Sequence, residues 1–207
     1  DTEEIWLDSV VSIGSAFNLN GNVDLDTLNL DSLEGIGGQL SMSSNSSLSV
    51  FSVPSLTLVE GSIQVSSNDG LQEAHFDALE TVEGHLQISW HNHFQELHLP
   101  SLTELSGELY LYYNYVLDTV DLSALSEVES NLYVHSNFQL ETLNLPSLVK
   151  VNGSFTVYSA NSLDDLDLAL LEEVNGSFSV SNNASVSRLY APNFYDLSGS
   201  LTIRDNG

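Results

Sequence analysis

Cysteine is absent from the 207 residues, which removes disulfide staples, thiolate metal sites and cysteine nucleophiles together. Basic residues are nearly missing as well: 3 Lys and Arg stand against 29 Asp and Glu, so the formal net charge is 3 − 29 = −26 at pH 7. Such a chain lacks the cations that hold phosphate backbones or anionic headgroups, and neither nucleic acid nor a charged membrane surface is expected as partner. No run approaches the ~18–20 consecutive apolar residues that span a bilayer, so membrane insertion is not expected. The sequence starts at Asp1 without an initiator Met or a basic leader, and a processed or excised chain is expected. Charged residues make up only 15% and hydrophobic ones 42%. The imbalance therefore reflects missing Lys and Arg, and the composition is that of a folded protein rather than an acidic tail.

Catalytic signatures are lacking too. There is no G-x-S-x-G elbow, no H-E-x-x-H helix and no phosphate-binding loop. Carboxylate pairs such as Glu172-Glu173 and Asp164-Asp165 read as solvated surface, so an enzyme is not expected. The acidic surface admits calcium as the one conceivable cofactor, although no calcium loop of the D-x-[DN]-x-[DN]-G type is present.

What the sequence does contain is a period. Pro54-Ser55-Leu56, Pro100-Ser101-Leu102 and Pro146-Ser147-Leu148 recur at steps of 46 residues, and half of that is the true repeat. A 23-residue register begun at Asp8 continues through Asp31, Pro54, Asp77, Pro100, Ser123, Pro146, Ala169 and Pro192 without insertion or deletion. In the unit from Ser123 the apolar residues are Leu125, Val128, Leu132, Val134, Leu140, Leu143 and Leu145. The pairs Leu132/Val134 and Leu143/Leu145 alternate with polar residues, the signature of short strands with one buried face, and no stretch of helical periodicity survives between them. Glycine recurs at the eighth position, from Gly38 to Gly199, and predicts a sharp turn with positive φ. Asparagine recurs at the fifteenth, at Asn22, Asn45, Asn68, Asn114, Asn137, Asn183 and Asn206, with Asn92 and Asn161 one residue later. Stacked turns would make these an asparagine ladder.

Leu132-x-Val134-x-x-Asn137-x-x-Leu140 resembles the strand half of a leucine-rich repeat, and the unit as a whole resembles the receptor L-domain repeats of growth-factor receptors and of fungal and bacterial cell-surface proteins. The resemblance covers residues 8–207, and the chain departs from the receptor domains in having no Cys-closed ends and a more regular period. It implies an all-β fold: a right-handed parallel β-helix, or solenoid, of about nine 23-residue coils, leucine-rich-repeat-like and without convex helices. Residues 1–7 are expected to form an N-terminal cap segment, and 8–207 one solenoid domain whose last coil is incomplete. The resemblance also implies an extracellular or cell-surface setting and a binding or structural role.

Because residues 23 apart become neighbours in such a stack, surface rows can be read from the sequence. Five ring-bearing residues, Tyr110, Tyr112, Tyr133, His135 and Tyr158, fall in adjoining outward rows, with Trp90, Tyr113, Tyr115 and Phe138 in the turn beside them. An aromatic cluster of this size on one sheet face predicts a recognition surface for carbohydrate or a protein partner. A second row places His75, His98 and Asp121 at one-coil spacing, a set able to hold a divalent metal if the side chains converge. Sequons at Asn152 and Asn175 lie at an outward position, whereas those at Asn45 and Asn183 lie in the ladder. The expected function is an extracellular, non-enzymatic recognition or adhesion module. The alternative is a structural repeat module of a surface fibre or sheath that self-associates end to end through its incomplete coil.

Overall fold

The computed structural model describes residues 2–207. Each 23-residue unit forms one coil with three short strands, and the coils stack with strands pairing parallel to their copies in neighbouring coils. No helix occurs among the described residues, and the chain is an all-β solenoid of about nine turns. Three sheets run along the rod. A narrow sheet of nine two-residue strands extends from Ser12–Ile13 to Asp196–Leu197. A broad sheet of nine strands extends from Phe17–Asn20 to Leu201–Arg204. A third sheet, built from strands such as Thr119–Asp121, is broken into blocks of two, five and two strands.

The register is the sequence period made physical: Leu109 pairs with Leu132, Tyr110 with Tyr133 and Tyr112 with His135, each 23 residues apart. Side chains alternate across a strand, so Leu109, Leu111, Leu132 and Val134 point inward and are fully buried, while the residues between them look outward. Each such side chain contributes about 1.5–3 kcal/mol by leaving water. The strands are joined by tight turns. The N–H of Leu56 bonds the carbonyl of Val53 at 3.1 Å across Pro54, and Leu148 bonds Leu145 across Pro146 at 3.2 Å. Proline there sits at the second turn residue, where its fixed φ suits the turn and its missing N–H costs nothing.

One expectation is corrected. The eighth-position glycines do not carry positive φ; Gly21 is the one described glycine that does, at 75°. The eighth position needs glycine because successive backbones touch: a Cβ on Gly107 would lie 2.4 Å from the Gly84 carbonyl oxygen. The left-handed conformation falls instead at the fourteenth position, in Gly21, Ser44, Ser67, Trp90, Tyr113, Ser136, Ser159, Asn182 and Asp205, with φ between 53° and 75°. In the N-terminal segment Asp1 lies outside the described residues, and Glu4–Trp6 is a third-sheet strand that pairs in register with Thr27–Asn29 at the end of the stack.

The asparagine ladder forms as expected. Asn45 donates its N–H and its side-chain amide to Asn68 Oδ1, both at 3.0 Å, and a second hydrogen of the same amide reaches the Leu19 carbonyl at 2.8 Å. Asn114 repeats the pattern on Asn137 and Ile88. Two coils depart from it: His91 and Ala160 take the ladder position, and Asn92 is exposed, donating to Asp69 at 2.8 Å.

Candidate binding surface

The broad-sheet strands of the fourth and fifth coils are longer than their neighbours: Leu86–His91 and Leu109–Asn114 have six residues where the others have four. They carry the aromatic residues into the bend. Trp90 and Tyr113 stand one coil apart and stack at 4.3 Å between ring centroids, 26° from parallel. Tyr112 and His135 stack at 5.1 Å and 16°. Tyr110 and Tyr133 follow at 4.9 Å and 37°. Edge-to-face contacts tie the three columns together: Trp90 to Tyr112 at 6.2 Å, Tyr110 to Tyr112 at 6.1 Å and Tyr113 to His135 at 5.7 Å. Six of the expected site residues thus form one ring network, in geometries each worth about 0.5–1.5 kcal/mol beyond area burial.

Tyr158 lies one strand further, in register with His135, and Tyr115 and Phe138 border the patch one coil apart. All three are exposed, as is Trp90 at 46%. The polar fringe is built from the same rows. Gln87 donates to the Tyr112 hydroxyl at 3.1 Å, and Asn131 donates to Glu108 at 2.6 Å beside Tyr110. Burial pushes the Tyr110 hydroxyl up from its ordinary value, with Glu108 adding to the shift, and pushes His135 down. The His135 ring is therefore neutral near pH 7, which suits face-on stacking with Tyr112.

Trp90 and Tyr113 occupy the left-handed fourteenth position, at φ 62° and 54°. In the other coils that position holds Gly, Ser, Asn or Asp. A bulky residue in this region is disfavoured by roughly 1–2 kcal/mol, and such conformations cluster where function requires them.

The second expected site does not assemble as a metal centre. His75 and His98 do stand in one row, their rings stacked at 4.8 Å and 9°. Each Nε2, however, meets the glutamate two residues earlier on its own strand, Glu73 at 2.9 Å and Glu96 at 2.7 Å. Asp121 accepts from the Ser123 N–H and from Asn144. Among the described residues no group of three or more His, Asp and Glu side chains is placed to hold a metal ion. The reason is geometric: a flat parallel row keeps its side chains a strand spacing apart and side by side, whereas a metal needs them to converge.

His91 is the residue whose role the sequence reading missed. It is fully buried, its Nδ1 lies 2.9 Å from Asn114 Oδ1, and Asn68 Nδ2 lies 3.5 Å from its Nε2. The ring thus takes an asparagine's place in the ladder, donating forward through Nδ1. The available signal was its place at the fifteenth position of an unbroken period.

No family profile matches the chain, and no curated protein or solved structure matches it significantly.

Proposed function

We propose that the protein is an extracellular, non-enzymatic recognition module that binds carbohydrate through the aromatic face centred on Trp90, Tyr112, Tyr113 and Tyr133. The observation that carries this reading is the pair Trp90 and Tyr113, stacked and held in a disfavoured backbone conformation at the edge of a ring network. Packing of the solenoid alone has no use for such rings, since Ser, Asn, Asp or Gly fills the same position in every other coil. The face is a platform of stepped rings rather than an apolar slot. A pyranose ring can lay its weakly positive C–H face on the electron-rich faces of Trp and Tyr while its hydroxyls meet Gln87, Glu108 and Asn131 at the fringe. The cell-surface setting rests on the resemblance of the repeat to receptor L-domain and leucine-rich repeats.

Glycan-array binding, followed by calorimetry on the best ligand, tests this. The double variant Tyr112→Ser, Tyr133→Ser is expected to lose at least tenfold in affinity with the coil stack intact by circular dichroism. Unchanged glycan binding in that variant would sink the reading. Binding of a protein and of no glycan, lost in the same variant, would transfer the face to a protein partner.

A further inference from the structure

The 29 carboxylates of the chain are spread unevenly over its three sheets. On the broad sheet the second and fourth residues of each strand leave the core, and from Phe17–Asn20 to Leu201–Arg204 not one of them is Asp or Glu. The fixed charge on those rows is Arg204, on the last strand, which lies 3.8 Å from Asp205. The outward rows of the third sheet carry Glu4, Glu73, Glu96, Asp121, Asp165 and Asp167. The outward row of the narrow sheet carries Glu104, Glu127, Glu173 and Asp196. Folding does not require this division, because outward positions of all three sheets stand off the same core. Nor does repulsion between neighbours, since Glu73 lies in register with Glu96 and Glu104 with Glu127. Like charges directly opposite are a cost that the molecule accepts on two sheets and avoids on the broad one.

What the broad face carries instead is neutral. Its first three strands present Asn18, Asn20, Ser41, Ser43, Gln64 and Ser66, and the ring network follows in the next coils. Ser43 Oγ donates to Asn20 Oδ1 at 2.8 Å, and Gln39 Nε2 to Gln64 Oε1 at 2.9 Å. Beyond the rings come Thr156, Ser179 and Thr202. Two carboxylates on the margins are occupied by amides: Glu108 accepts from Asn131 at 2.6 Å and Asp69 from Asn92 at 2.8 Å.

We infer, building on the carbohydrate reading above, that the whole broad-sheet face is one binding surface and that its ligand is an uncharged linear polysaccharide laid along the rod. Hydroxyls and amides both donate and accept, as sugar hydroxyls do, whereas a carboxylate only accepts. Rows without charges can be covered by a ligand at far lower cost than rows whose charges must be stripped of water. An acidic glycan is repelled by the net charge of −26, and an amino glycan finds its carboxylate partners on the other two sheets. Nine strands make a track about 40 Å long at the usual strand spacing, which accommodates a chain of several sugars with the rings as its anchor.

Calorimetry on the full chain with hexamers and dimers of glucose, mannose and xylose tests this. The best neutral hexamer is expected to bind at least tenfold more tightly than its dimer. Hexamers of glucuronate and of glucosamine are expected to displace it at least tenfold less effectively than the unlabelled neutral hexamer does. The variant Ser41→Glu, Ser43→Glu charges the track two coils away from Trp90, and is expected to weaken the hexamer at least tenfold while the dimer binds as before. Ser52→Glu, Thr142→Glu adds the same charge on the third sheet and is expected to change neither. Equal affinity of hexamer and dimer, equal displacement by the charged hexamers, or undiminished hexamer binding by the Ser41→Glu, Ser43→Glu variant would overturn the inference. If binding were still lost in Tyr112→Ser, Tyr133→Ser, those outcomes would leave the aromatic site standing as a short-glycan site. Binding of none of these sugars would overturn the inference, and only a glycan array without any ligand would remove the carbohydrate reading with it.

Discussion

His91 stands in a ladder whose other polar members are asparagines, and it brings a titratable group into the core. Burial lowers its pKa from 6.5 to about 4, partly opposed by its hydrogen bond to Asn114 and by Asp69. Between those values the unfolded chain takes up a proton that the folded chain refuses, so this contribution to stability is whole above pH 6.5 and is lost as pH falls toward 4. The full effect is on the order of 3 kcal/mol. His91→Asn restores the ladder chemistry without the titration, and the stability difference between parent and variant is expected to widen in the variant's favour from pH 7 to pH 4. Parallel urea-denaturation midpoints across that range would refute it. Trp90→Gly should behave in the opposite sense to a packing mutant: stability within about 1 kcal/mol of the parent, since relief of the left-handed strain offsets the lost stacking, while glycan binding is lost. At this scale the sequence was legible where a residue type repeats and opaque where it substitutes. Tyr110, Tyr112 and Tyr133 could be placed by counting, whereas His91 and the positive φ of Trp90 are set by neighbours that appear in no local motif.

The strands and turns were largely legible, because a period of 23 without insertions fixes which residue lies above which. Glycine at the eighth position was read correctly as a corner but for the wrong cause. Close approach rather than left-handed φ excludes a side chain there, and Gly107→Ala is expected to lower stability by about 2 kcal/mol or more through displaced backbone; a change under about 0.5 kcal/mol by chemical denaturation would mean that the coils slide apart freely. The two splits in the third sheet, such as that between Thr142–Asn144 and Asp165–Asp167, could not be foreseen. Leu143 and Leu166 continue the inward pattern across that one, and an inward pattern reports burial but carries no information on whether two backbones meet. The metal row failed for the related reason that proximity along a row was legible but direction was not.

Across the whole molecule the governing quantity is charge. All three basic residues are already engaged: Lys150 lies 3.4 Å from Glu127 and 4.0 Å from Glu173, Arg188 binds Asp165 and Asp167, and Arg204 lies 3.8 Å from Asp205. The remaining carboxylates have almost nothing to pair with, so the folded rod carries self-repulsion that unfolding partly relieves. Melting temperature is expected to rise with NaCl and to level off by a few tenths molar, where screening acts over less than about 10 Å. A melting temperature that falls with added salt would show that repulsion does not govern stability. Substitution by Ca²⁺ at constant ionic strength should add little, and a large increment would reveal carboxylate sites of a specific kind.

The asparagine ladder also has a direction. Asn22 donates to Asn45, Asn45 to Asn68, and Asn114 to Asn137, always toward the later coil. During synthesis a coil therefore leaves the ribosome with the forward-pointing donors of its ladder open, and they close only when the acceptor one repeat later has emerged. At about 5–20 residues per second, a 23-residue repeat sets a wait of roughly 1–5 s before each coil is sealed by its successor. The growing chain advances as a zipper whose last tooth is always unfastened.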